Sequence, residues 1–152
     1  MQIRSREAGL GLFVTVTLLA SFVSAQSANP RIGSWKLKQE PPASNIMTYE
    51  PVAGGGMKVT VDSVSASGNK GHWTYTTMLD GKDAAITGYS SDTAAVTVVD
   101  AATNEIVYKK DGKVTQTATN VISADGRTIT VTFKRTNAQG QPVTSVAIYE
   151  KQ

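Results

Sequence analysis

The 152-residue sequence contains no cysteine. It can therefore hold no disulfide, no thiolate nucleophile and no cysteine-ligated metal. Histidine occurs once, at His72. Zinc sites generally take three or four His, Cys or carboxylate ligands, so one exposed-looking His on a strand flank reads as a surface residue, and no metal site is expected. A nucleophilic triad would have to use His72, and nothing directs a serine at it. There is no Gly-x-Ser-x-Gly elbow and no phosphate loop, because the Gly54-Gly55-Gly56 run precedes no helix pattern. Asp80 and Asp83 bracket a Gly-Lys pair but lack the spacing of a calcium loop. The chain is expected to be neither an enzyme nor a cofactor protein.

Charge of one sign is also missing. From Gln26 to Gln152 the chain carries 13 Lys and Arg against 11 Asp and Glu. The basic residues are scattered at a turn (Lys109-Lys110, Lys113) and a strand end (Lys134-Arg135). No basic stripe carries stacking aromatics, so nucleic acid is not an expected partner.

Long apolar runs are confined to Gly9–Ala20, part of a stretch of about 14 residues with Ser and Thr inside it, short of the roughly 20 a membrane span requires. Arg4 and Arg6 precede it, and the small-residue site Val23-Ser24-Ala25 follows. Residues 1–25 read as a secretory signal peptide cut before Gln26. No cysteine follows the cut, so no lipid anchor is expected, and the 26–152 domain is expected to be secreted or periplasmic, and monomeric.

After residue 25 no pattern of helical period appears. What is there instead is period two. Met57, Val59 and Val61 alternate with Lys58, Thr60 and Asp62; Trp73, Tyr75 and Thr77 with Thr74 and Thr76; Ile129, Val131 and Phe133 with Thr128, Thr130 and Thr132. That alternation marks half-buried strands. Seventeen threonines lie in residues 26–152, and a β-branched polar residue suits the wet face of a sheet. Asp80-Gly81, Asp111-Gly112 and Asp125-Gly126 read as hairpin turns, Asp111-Gly112 as type I′. Pro41-Pro42 breaks the chain between the first two strands. Turn signals every 8–12 residues predict an all-β, up-and-down antiparallel meander, closed into a barrel of about 8–10 strands to remove its edges.

Two segments carry a family resemblance. Gly33-Ser34-Trp35-Lys36-Leu37 is similar to the Gly-x-Trp opening strand of the calycins, the lipocalins and fatty-acid-binding proteins. It looks especially like the Gly-Thr-Trp-Lys-Leu start of the latter. Ile148-Tyr149-Glu150-Lys151 is similar to their Tyr-Glu-Lys ending. The resemblance implies a barrel with a ligand cavity. Fatty-acid-binding proteins add a helix-turn-helix lid after the first strand, for which the chain has no room. They also grip a carboxylate with an Arg two residues before the Tyr, and that position is Ala147 here. The late helix and disulfide usual in lipocalins are absent too.

The inner wall is expected to comprise Met47, Tyr49, Met57, Val59, Val61, Trp73, Tyr75, Leu79, Ile86, Val96, Val98, Ile106, Tyr108, Ile129, Val131, Phe133 and Tyr149. Gln116, Ala118, Asn120 and Ala147, small or polar, would leave space among them. Tyr75, Tyr108, Phe133 and Tyr149 are the expected ligand contacts. Trp35 is expected to plug the barrel base, with Arg135 or Lys151 across its face. Two functions follow. One is an exported lipocalin-like protein that binds a small apolar or amphipathic molecule. The other is a filled barrel whose loops, residues 51–56, 80–84 and 136–142, engage a protein partner or the envelope.

Overall fold

A computed structural model describes residues 29–40 and 43–152. The expected signal peptide and the Pro41-Pro42 break lie outside the described residues. Ten strands run in sequence: β1 (Gly33–Leu37), β2 (Ser44–Pro51), β3 (Met57–Val64), β4 (Lys70–Thr77), β5 (Asp80–Thr87), β6 (Thr93–Val98), β7 (Thr103–Lys110), β8 (Lys113–Ile122), β9 (Thr128–Thr136) and β10 (Pro142–Lys151). Each pairs antiparallel with its neighbours in the chain, and β1 also pairs with β10, so the meander closes into a barrel without a crossover. No helix occurs among the described residues.

The closing seam joins the two family-like segments. Trp35 lies opposite Lys151, Lys36 opposite Glu150 and Leu37 opposite Tyr149. Main-chain bonds from Lys38 N to the Ile148 carbonyl (2.8 Å) and from Gln152 N to the Ser34 carbonyl (2.9 Å) extend it.

The period-two pattern sets which side chains enter the barrel. Trp35, Met57, Val59, Val61, Val96 and Ile129 are fully enclosed, each such burial being worth about 1.5–3 kcal/mol. Trp73, Leu79, Ile86 and Phe133 are half-buried and pack against that core. Val98 departs from the expected wall and is 47% exposed. Alternation alone would point it inward, but it is the last residue of β6 and lies past the end of the packed interior.

Asp111 and Gly112 both have positive φ (49° and 72°), as the type I′ turn between β7 and β8 demands. Asp80-Gly81 behaves differently. The chain reverses at Met78-Leu79, with Leu79 at φ 62°, and Asp80 and Gly81 already belong to β5. The register against β6 shifts between Asp80 and Asp83, so the glycine's positive φ (76°) serves an irregularity in the strand and not a turn.

Strand direction gives the barrel two distinct ends. One end, the base, carries residues 29–32 and the turns before β3, β5, β7 and β9; the other, the mouth, carries the loops before β2, β4, β6, β8 and β10. The expected loop 51–56 therefore lies at the base and 136–142 at the mouth, while residues 80–84 are not a loop but the base end of β5. They do not form one rim.

Candidate functional site

The base is sealed from the sequence upward by one short turn. Asn29 accepts from the Arg31 main-chain N–H through Oδ1 (3.0 Å), and its carbonyl accepts from Ile32 N–H (3.1 Å). This turn carries the Arg31 side chain, only 2% exposed, under the barrel. Arg31 Nη2 donates to the carbonyls of Ala102 (2.5 Å) and Asn120 (3.2 Å). With the Asn104 amide oxygen facing it, Arg31 Nε donates there as well, at 3.3 Å. A buried guanidinium is tolerable only when its donors are taken up in this way. Burial still lowers its pKa, with the Tyr49 phenol and the Asp100 carboxylate acting in the opposite direction.

Trp35 lies fully buried at the base. Its indole N–H donates to the Arg31 carbonyl at 2.8 Å, and Lys151 Nζ lies 5.4 Å from the ring centroid, within cation–π range. Arg135 does not belong there. β9 runs from base to mouth, so Arg135, two residues beyond Phe133, is exposed at the opposite end beside Gln116 and Val143. Strand polarity, invisible in an alternation pattern, decides this.

Above the plug the barrel holds a cavity of about 270 Å³. Apolar walls come from Met47, Val59, Val61, Ile106 and Val131, and Ala147 leaves room on β10. The four expected contacts, Tyr75, Tyr108, Phe133 and Tyr149, all line it. Leu37, Asn45, Trp73 and Tyr89 line it as well, and Asn120 forms part of the wall on β8. None of the lining residues carries a charge.

Four rings are gathered in this lining. Trp73 and Tyr75 of β4 lie parallel within 5°, centroids 6.0 Å apart. Tyr89, from the turn between β5 and β6, tilts onto Trp73 at 4.9 Å and onto Tyr108 at 5.7 Å. It is 37% exposed while lining the cavity, so it stands at the mouth. Gly88 makes that approach feasible. Its φ is +82°, and a Cβ there would sit 2.2 Å from the His72 carbonyl oxygen of β4.

The phenols inside are held neutral. Burial pushes Tyr75, Tyr108 and Tyr49 well above the ordinary tyrosine range, reinforced for Tyr75 and Tyr108 by neighbouring phenols. Burial raises Tyr149 to about 12. Tyr149 OH donates to Asn45 Oδ1 at 3.4 Å. Tyr49 OH donates to Met47 Sδ at 3.0 Å and accepts from Asn120 Nδ2 at 2.9 Å.

Sequence reasoning passed over Tyr89, Asn45 and Arg31. Tyr89 sits in the polar run Gly88-Tyr89-Ser90-Ser91, and a lone aromatic behind a glycine in such a loop was the available signal. His72 lies on the outside, where Nδ1 meets Asp62 Oδ1 at 2.7 Å.

No protein-family model and no curated protein matches the sequence. Solved structures do match. The crystal structure of the wild-type fluorescent protein UnaG is 15% identical, with a TM-score of 0.55 over 80% of this chain and 96% of that one. A single-site mutant of the same protein aligns at 14% identity and TM-score 0.56, over 81% and 96%. The shared feature at such identity is the fold, a calycin-like barrel.

Proposed function

We propose that the protein is an exported, lidless carrier that takes a small apolar or amphipathic molecule into its barrel. The observation that carries this reading is the cavity itself: about 270 Å³, closed below by Trp35 and Arg31, with apolar and aromatic walls and a few convergent amides and phenols. That is the usual composition of a small-molecule site, near the lower end of the common range of about 300–1,000 Å³. Ala147 stands where the resembled family carries its carboxylate-gripping Arg, so a fatty-acid headgroup site is not part of the reading. Export rests on the leader features of residues 1–25. Neither a catalytic role nor a resident cofactor is invoked.

Native mass spectrometry of the protein, purified from the medium or periplasm of its own host, tests both parts. The expected result is a protein mass beginning at Gln26, with a reproducible adduct of a few hundred daltons that disappears on denaturation. An intact leader would overturn export. A chain that neither carries an adduct nor takes up any apolar probe would overturn the carrier.

A further inference from the structure

Asn120 is 4% exposed. Its Nδ2 is engaged by Tyr49, whose own proton goes to Met47 Sδ. Its Oδ1 is buried and receives no hydrogen bond from any described residue. A buried acceptor without a donor costs about 1–3 kcal/mol, and such groups are rare in native interiors. This one belongs to a residue of the cavity wall. β8 stands four strands round the ten-stranded barrel from β4, so Asn120 and the Trp73–Tyr75 stack line the same cavity from different sides, Asn120 nearer the base.

We propose that the cavity is specific for a planar, uncharged aromatic molecule bearing one N–H or O–H donor, and that Asn120 Oδ1 receives that donor. The inference rests on the carrier reading above and deepens it. Three observations converge on it. The orphaned acceptor asks for a donor. The rings of Trp73, Tyr75, Tyr89 and Tyr108 offer faces and edges for an offset-stacked ligand. No charged side chain lines the wall, so an anion or cation would lose its hydration with nothing to replace it. The buried cation of the base does not change this, because Arg31 is not among the residues lining the cavity and its Nη2 is engaged by the Ala102 and Asn120 carbonyls. Size agrees as well. An apolar cavity of about 150 Å³ in another protein holds one benzene, so about 270 Å³ suits a molecule of two fused rings.

Four naphthalenes separate the terms: naphthalene itself, 2-naphthol, 2-methoxynaphthalene and 2-naphthoate. Each is titrated into the intact protein at pH 7 by calorimetry, with tryptophan fluorescence as a second readout. The expected order puts 2-naphthol first, about tenfold tighter than naphthalene or 2-methoxynaphthalene, a factor equivalent to ~1.4 kcal/mol, with 2-naphthoate weakest. In Asn120→Leu the preference for 2-naphthol over naphthalene disappears while naphthalene binding persists. Equal affinity for naphthalene and 2-naphthol in the native protein would overturn the role of Asn120 and leave the carrier standing, and needs no variant to fold. Tightest binding of 2-naphthoate would overturn the uncharged class. Tightest binding of 2-methoxynaphthalene would show the amide presenting its N–H instead. Failure of all four, together with failure of aliphatic probes such as decanol, would take the carrier reading down with it.

Discussion

The indole N–H of Trp35 is bonded to the main-chain carbonyl of Arg31, four residues upstream, at 2.8 Å. That one bond ties the opening strand to the turn that precedes it. The Arg31 side chain then carries the tie to the β6–β7 turn and to β8 through Ala102 and Asn120. The base is thus closed by a charged side chain bonded to carbonyls from two other places in the barrel, with the aromatic plug above it. The same Asn120 whose carbonyl is held by Arg31 presents its side chain to the cavity, so the seal and the cavity wall share a residue.

Replacing Arg31 with Met keeps the aliphatic length and removes the donors. The Ala102 carbonyl keeps its bond from the Ile122 main-chain N–H (3.0 Å), so the change removes only the charge-assisted bonds to the two carbonyls, and the expected loss is about 1–3 kcal/mol, partly offset by no longer burying a charge. Trp35→Phe keeps a ring in the plug but drops the N–H, with an expected loss of about 1–3 kcal/mol. Urea denaturation followed by far-ultraviolet circular dichroism measures both. A neutral Arg31→Met would mean that the seal is dispensable.

Gly88 makes a second sharp prediction. An alanine there needs positive φ and also collides with the His72 carbonyl. The β5–β6 turn must shift and carry Tyr89 away from Trp73. The expected outcome is a red-shifted tryptophan emission and at least severalfold weaker binding of 2-naphthol. Gly112→Ala is the matched control. It has a similar φ of +72° but open space around it, so it should show only the backbone strain of about 1–2 kcal/mol and no change in binding.

The architecture was readable because period two, turn chemistry and short connections are all local. Met57-Lys58-Val59-Thr60-Val61 states its inward and outward faces residue by residue, and Asp111-Gly112 states its turn. What went unread depends on where a strand sits relative to the barrel's ends. Val98 keeps the right alternation but lies past the core, and Arg135 keeps the right strand but points out at the mouth. Asp80-Gly81 shows the remaining ambiguity, since a positive-φ glycine serves a strand irregularity as readily as a turn. Of the cavity wall, Tyr75, Tyr108, Phe133 and Tyr149 followed from alternation. Tyr89 and Arg31 did not, because each acts from a loop whose path is fixed by a close backbone approach or by buried hydrogen bonds.

The buried phenols predict how stability depends on pH. Tyr49, Tyr75, Tyr108 and Tyr149 all have pKa values above the ordinary value near 10 when folded. Between that value and the folded one, the unfolded chain has released protons that the folded chain still holds. Stability is therefore at full strength below pH ~10 and falls as pH rises, by about 1.4 kcal/mol per pH unit for each such tyrosine. For Tyr149 the window runs from about 10 to about 12. Urea midpoints at pH 8, 10 and 11 should decline with steepening slope, and absorbance at 295 nm should show most of the phenolate appearing together with unfolding. Gradual ionisation of Tyr49, Tyr75, Tyr108 and Tyr149 near pH 10, with the fold intact, would contradict the enclosed environment.

Ala147 decides whether the interior is where a ligand goes. It lines the cavity from β10, half-buried, and a leucine there would grow into the cavity. Adding methylenes to a filled core usually costs about 1–3 kcal/mol. Here the added carbons gain contact without displacing a neighbour, so Ala147→Leu should leave the thermal midpoint unchanged or raise it. The same substitution should weaken 2-naphthol and naphthalene alike, by tenfold or more, because it removes volume and leaves Asn120 untouched. Asn120→Leu changes selectivity, whereas Ala147→Leu changes capacity. A variant of Ala147 that folds normally and binds both probes at full strength would place the ligand outside the barrel.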